Sequence, residues 1–228
     1  HRVGCADVAR GRGGVGVNHA QLSAALQAQG LVLRGGFAPE ERDALPTLPN
    51  GHAPRWLALI GVAGSAFWPH FTASAEFADG APHPLDRWSR TIGDALAAQN
   101  GGVALYPFGG PPHQPFQRWA ERAEGLHASP LGLRLHPHYG LWHSYRFALA
   151  LPRPLGEPTP ALDTTDLCAR CSGQPCLHAC PVDAFTGTDY RVDICAAHLA
   201  TTPAPRCADI GCLARHACPV GQQHAQQP

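Results

Sequence analysis

The fold class predicted for this chain is α+β: a layered domain of helices and strands over residues 1–160, followed by a small cysteine-rich domain over 161–228. Three observations lead there. Helical and strand periodicities are interleaved through the first part, as layered α+β domains require. Eight of the nine cysteines of the 228-residue chain lie at or after Cys168. Between the two regions, Leu151–Pro160 carries Pro152, Pro154, Pro158 and Pro160, a density that makes a semi-rigid connector.

The elements follow in order. Gly11–Gly16 is glycine-rich but lacks the Lys-Ser/Thr of a phosphate loop and follows no strand, so it reads as a flexible N-terminal segment. His19–Gln29 reads as a helix, with Leu22, Ala25 and Leu26 on one side and Gly30 as its stop signal. Leu31–Leu33 reads as a short strand, and Trp56–Ala63 as a buried strand ended by glycine. Leu85–Ala98 is the clearest helix, with Leu85, Trp88, Ile92 and Leu96 on one face. Val103–Tyr106 predicts a strand that runs into the turn-rich 107–112. Pro115–Glu124 predicts a short helix with Phe116, Trp119, Ala120 and Ala123 inward. Leu141–Leu151 predicts a long strand: Leu141, His143, Tyr145, Phe147, Leu149 and Leu151 share one face, and Trp142, Ser144, Arg146, Ala148 and Ala150 the other.

Composition excludes several classes. Hydrophobic residues make up 44% and charged residues 15%, enough apolar material for a core and too little charge for a disordered chain. All 17 basic residues are arginine and they balance 17 acidic ones. Zero net charge argues against non-specific binding to nucleic acid or to an anionic membrane. The longest apolar run, near Trp56–Phe67, is interrupted by Gly61 and Gly64 and is too short to span a bilayer. No signal peptide is read, and the default expectation is a cytoplasmic protein, where clustered cysteines more often hold metals than form structural disulfides.

The tail carries the chemistry. Cys168-x2-Cys171-x4-Cys176-x3-Cys180-Pro181-Val182 is echoed by Cys207-x4-Cys212-x5-Cys218-Pro219-Val220, with Cys195 between them. Thiolates are soft ligands that suit iron in tetrahedral sulfur coordination. In two-cluster ferredoxins a C-x2-C-x2-C-x3-C-P run gives three ligands to one cluster, and its fourth cysteine serves the other. Here the second gap is longer by two residues, which a loop absorbs. Crossing the two groups gives two [4Fe–4S] sites: Cys168, Cys171, Cys176 and Cys218 for one, Cys180, Cys195, Cys207 and Cys212 for the other. Cys5 is left over. A zinc site with four thiolates and a framework of four disulfides stay open as alternatives, and a zinc-stabilised interaction protein is the function that would go with the first. Val182, Phe185, Ile194 and Leu213 are the apolar neighbours expected to keep water from the clusters.

This tail resembles the iron–sulfur region of epoxyqueuosine reductases and, more loosely, of reductive dehalogenases. The first part resembles the cobalamin-processing protein of methylmalonic aciduria and homocystinuria type C. That resemblance rests on Leu48–Gly61, on Pro84-Leu85-Asp86-Arg87, and above all on His136-Pro137-His138-Tyr139-Gly140-Leu141-Trp142-His143-Ser144-Tyr145-Arg146. It implies a nitroreductase-like first domain, a ferredoxin-like second, and a corrinoid (cobalamin) as the cofactor reduced by the clusters. It places Gly140, Trp142 and Arg146 near that corrinoid, and leaves Asp86 as the nearest candidate for the reductases' catalytic acid. His136, His138 and His143 read as satisfied or surface histidines, and Trp68-Pro69-His70 as packing. No pattern for a flavin is found. No tRNA-binding helical repeat is read, so the expected partner is a redox protein or a small-molecule cofactor. The other reading is a pure electron carrier whose first domain has no cofactor site of its own.

Overall fold

The computed structural model describes residues 17–156, 160–164 and 166–225. The glycine-rich 11–16 and Cys5 lie outside them. Helix α1 (His19–Gln27) starts at a reciprocal cap in which Asn18 accepts from the Gln21 N–H and the Gln21 side chain accepts from the Asn18 N–H. Strands β1 (Val32–Phe37) and β2 (Trp56–Ala63) follow, then helices α2 (Trp68–Thr72), α3 (Ala75–Ala78) and α4 (Pro84–Gln99), strand β3 (Val103–Leu105) and helix α5 (Phe116–Glu124). The short pair β4 (His127–Ala128) and β5 (Arg134–Leu135) precedes β6 (His143–Leu151). The tail holds four short helices, α6 (Pro175–His178), α7 (Val192–Leu199), α8 (Arg206–Ile210) and α9 (Leu213–His216). No described helix is long and apolar enough to cross a membrane.

Strands β1, β2, β6 and β3 pair antiparallel in that order. Strand β2 is buried on both faces, as its unbroken apolar run requires. Trp56, Ala58, Ile60 and Val62 pack with Leu22 and Leu26 of α1 and Trp88 of α4. Leu57 and Leu59 pack on the other side with Phe116, Trp119 and Ala123 of α5. Each fully buried Leu or Ile contributes about 1.5–3 kcal/mol, so these two cores fix the sheet between its helices.

Two bulges then redirect side chains. In β1, Leu33 pairs with Ile60 but Gly36 pairs with Ala58, so Arg34 and Gly35 oppose one residue. Gly35 takes φ 78°, a region glycine enters without strain. In β6, Phe147 pairs with Ile60 and Tyr145 with Gly61, which leaves Arg146 as the extra residue. This corrects the single alternation expected for Leu141–Leu151. A one-residue slip exchanges the faces of a strand, so Tyr145 joins the α5 side while Phe147 joins the α1/α4 side.

The tail does not close on itself. Its core consists of Cys176, Ala214 and Cys218 packed against Leu131, Leu135 and Leu141 from the segment before β6. Trp68 departs from the packing expectation: it is 52% exposed, although its ring meets Phe71 edge-on at 5.6 Å.

Candidate iron–sulfur sites and an adjoining cavity

The loop after the connector winds Cys168 and Cys171 through a turn, and α6 starts with Pro175 at its first residue and presents Cys176. With Cys218, these four line one small cavity, closed by Leu135, Leu141 and Val220. The other four line a second cavity of about 170 Å³: Cys180, Cys195 from α7, Cys207 from α8, and Cys212 at the start of α9. Val182, Phe185 and Leu213 stand in its wall. Phe185 stacks on Tyr190 with ring centroids 4.6 Å apart. The structure therefore brings the eight cysteines together as the two crossed sets of four.

None of the eight is in a disulfide. Among the described residues, no three His, Cys, Asp or Glu converge closely enough to hold a single metal ion. The second quartet surrounds a space of about 170 Å³, which suits a polynuclear core, while the first closes on about 20 Å³. The donor set is all sulfur, and the Ala184 N–H donates to Cys180 Sγ at 3.3 Å, the kind of hydrogen bond that tunes cluster sulfurs. Burial pushes the thiols of Cys168, Cys176, Cys212 and Cys218 up. Ionising them in place needs positive charge nearby, which a bound metal core provides. The residues fit iron–sulfur clusters.

A third and larger cavity, about 340 Å³, lies where α5, Leu133 with the start of β5, the start of β6 and α9 meet. Phe116, Leu133 and Leu141 give it an apolar wall; Arg134, His143, Tyr145 and Arg215 are its ionisable residues. Leu141 lines both this cavity and that of the first quartet. Ala214, fully buried, packs with Cys176 and Cys218 and also lines the second quartet's cavity. Ala214 thus stands between the two quartets, and Leu141 between the first quartet and the open cavity.

Behind the cavity lies a buried charged network. Arg34 donates from Nε and Nη2 to the two carboxylate oxygens of Glu124 at 2.9 and 3.0 Å. Tyr145 donates to the same carboxylate at 2.6 Å. The Arg34 guanidinium also lies 5.0 Å from the Tyr145 ring centroid and 5.5 Å from that of Tyr139. His136 Nδ1 accepts from the His138 and Tyr139 N–H groups, and His143 Nε2 lies 3.0 Å from the Arg134 carbonyl, to which it donates. Burial, then the nearby Arg34 charge, pushes both imidazoles down to about 3, so both are neutral. His136 is a core histidine whose Nδ1 is satisfied, as expected; His143 is satisfied only at Nε2, its Nδ1 having no partner among the described residues; His138 instead meets His224 at 3.2 Å.

Gly140, Trp142, Arg146 and Asp86 do not gather at one place. Gly140 has φ +59°, and a Cβ there would strike the backbone of Val220. Its smallness lets the tail cross the 136–143 segment. Trp142 is buried under the Arg215 guanidinium, 4.3 Å from the ring centroid, and against His216. Arg146, the bulge residue, turns to the α4 side and binds Asp86 Oδ1 at 2.5 Å and Ser89 Oγ at 3.0 Å. None of the four lines the cavity. The sequence reading passed over Arg34, Glu124, Tyr145, Arg134 and Arg215. The Arg34-Gly35-Gly36 run inside an apolar strand was the one local sign, since a charge there needs a partner and the glycines permit a bulge.

No protein-family model matches the chain, and no curated protein does. Among solved structures it is similar to epoxyqueuosine reductase from Bacillus subtilis, captured with its catalytic aspartate loop swung out of the active site. The TM-score is 0.50 at 13% identity, over 91% of this chain and 66% of that one. The likeness is one of fold: a mixed α/β protein with a small antiparallel sheet. The chain spans just under two-thirds of that protein's length.

Proposed function

We propose that this chain is an iron–sulfur redox protein that serves a small-molecule acceptor held in the 340 Å³ cavity. The observation that carries this reading is the alignment of the two cysteine quartets with that cavity, with one side chain, Ala214 or Leu141, at each boundary. The likeness of fold to a reductase supports it. Two [4Fe–4S] clusters, when bound, supply one-electron chemistry. Cys168, Cys171, Cys176 and Cys218 would hold one and Cys180, Cys195, Cys207 and Cys212 the other. The protein's own part is to keep water away with Leu135, Val182, Phe185 and Leu213, to donate hydrogen bonds to sulfur as Ala184 does, and to hold the acceptor beside Leu141.

The corrinoid implied by the sequence resemblance is not built into this reading. Gly140 and Trp142 serve the seam with the tail, and Arg146 is taken by Asp86. The cavity is also at the small end of ligand sites. The open cavity favours a protein with its own acceptor site over a pure carrier.

Anaerobically purified protein is expected to contain iron and acid-labile sulfide in equal amounts, about eight of each per chain for two four-iron clusters. Cys176→Ala and Cys195→Ala are each expected to lose about half, leaving the EPR signal of the other cluster after reduction. Stoichiometric zinc without sulfide would overturn the reading.

A further inference from the structure

We infer that the 340 Å³ cavity is a binding site for a small organic anion with an apolar body, a carboxylate being the group that fits its guanidinium. Calling that ligand the electron acceptor rests on the redox reading above; the binding itself does not.

The argument starts from an unbalanced charge. Arg215 lies on α9 in the wall of the cavity. Its Nε donates to the Leu141 carbonyl at 2.9 Å, and its plane covers Trp142. Among the described residues no carboxylate stands within ion-pair distance of it. The other arginines that border this region are neutralised: Arg34 by Glu124, and Arg134 by Glu121 at 2.7 Å. A part-buried guanidinium held in place by a carbonyl and an indole, with Cys212 the one negative group acting on it and no carboxylate of the chain paired with it, is preformed to take an anionic group from outside.

The rest of the wall sets the kind of anion. Phe116, Leu133 and Leu141 line it, and Leu133 is 43% exposed. Apolar surface left open beside a fixed charge is the arrangement of ligand pockets, in which a few polar groups orient an apolar body. A bare inorganic anion would leave that surface wet. A neutral apolar molecule would leave Arg215 unpaired. His143 is neutral and adds no second charge, so one anionic group balances the site.

The test is calorimetric titration of the anaerobic, cluster-loaded protein with benzoate, hexanoate, benzamide, acetate and inorganic phosphate. Benzoate or hexanoate is expected to bind at least about 10-fold tighter than benzamide, acetate or phosphate, a difference of about 1.4 kcal/mol. Arg215→Gln is expected to abolish that preference, and Leu133→Ser to weaken the tighter acid several-fold with iron content unchanged. The wild-type comparison needs no variant, so misfolding of Arg215→Gln does not obscure the outcome. If neither acid binds better than benzamide, or if phosphate binds as well as both, the inference is overturned. Iron and sulfide measured on the same sample separate that failure from failure of the redox reading.

Discussion

At the scale of the residue, the most deeply buried charges form one pair. Arg34 and Glu124 are both nearly inaccessible and form a two-pronged pair that Tyr145 completes. Removing one member of such a pair leaves a buried charge without compensation. Glu124→Gln is therefore expected to lower stability by about 3–5 kcal/mol in anaerobic urea unfolding. Tyr145→Phe, which keeps both charges and loses one charge-assisted hydrogen bond, is expected to cost about 1.5–3 kcal/mol. Equal effects of the two changes would show that the charge pair is not the main term. The histidines above the pair give a pH dependence whose sign follows from their depressed values. His136 is surrounded by Arg34, His138 and His224, and His143 by Arg34, His136 and Arg215. Both stay neutral in the fold down to about 3 but protonate near 6.5 when unfolded. The unfolded chain then binds more protons, so stability is fully present above pH 6.5 and is lost as the pH falls from there toward 3. His136→Asn, whose amide oxygen can take the two backbone N–H groups, is expected to flatten part of that slope between pH 7 and 5. None of this was legible in sequence, because Arg34 and Glu124 are 90 residues apart and only the fold makes them partners.

At the scale of the element, local pattern located most of the sheet and its helices. Trp56–Ala63 is β2 as read, and α1, α4, α5 and β3 lie within two residues of their expected ends. These segments carry their own period and stop signals. The short helices α2 and α3 were missed because four or five residues hold too little periodicity to register. The β6 bulge was also invisible. Alternation in Leu141–Leu151 gave no hint of a break at Arg146, since the extra residue is defined by its partner strand and not by its neighbours. That break depends on Gly61. A Cβ there would run into the backbone oxygen of Ser144 across the β2–β6 ladder. Gly61→Ala is expected to cost about 1–3 kcal/mol, as overpacking does in a filled interior. It is also expected to shift the amide resonances of Ser144 to Phe147, and an unchanged spectrum there would mean that the bulge does not need the glycine.

At the scale of the whole molecule, the tail and the sheet are joined by one small core and one backbone crossing. The grouping of the eight cysteines was legible in their spacing and in the two Cys-Pro endings, and the same two groups line two cavities. The site of attachment was not legible. Leu131, Leu135 and Leu141 look like ordinary loop and strand residues, yet they bury Cys176 and Cys218, and Gly140 and Gly221 are small because their backbones cross. The two sheet cores contain no cysteine. If the quartets hold metal, its removal is expected to leave the apolar burial of the sheet cores intact and to loosen the tail core. If clusters fill the quartets, chelation of iron under anaerobic conditions is expected to raise amide hydrogen exchange through residues 167–220 and in β5 and Leu141, while the centres of β2 and β6 stay protected. Loss of protection across the whole sheet would make tail and sheet one cooperative unit. Unchanged exchange in the tail would show that it folds without metal, and would remove the reason for eight cysteines to stand in two quartets.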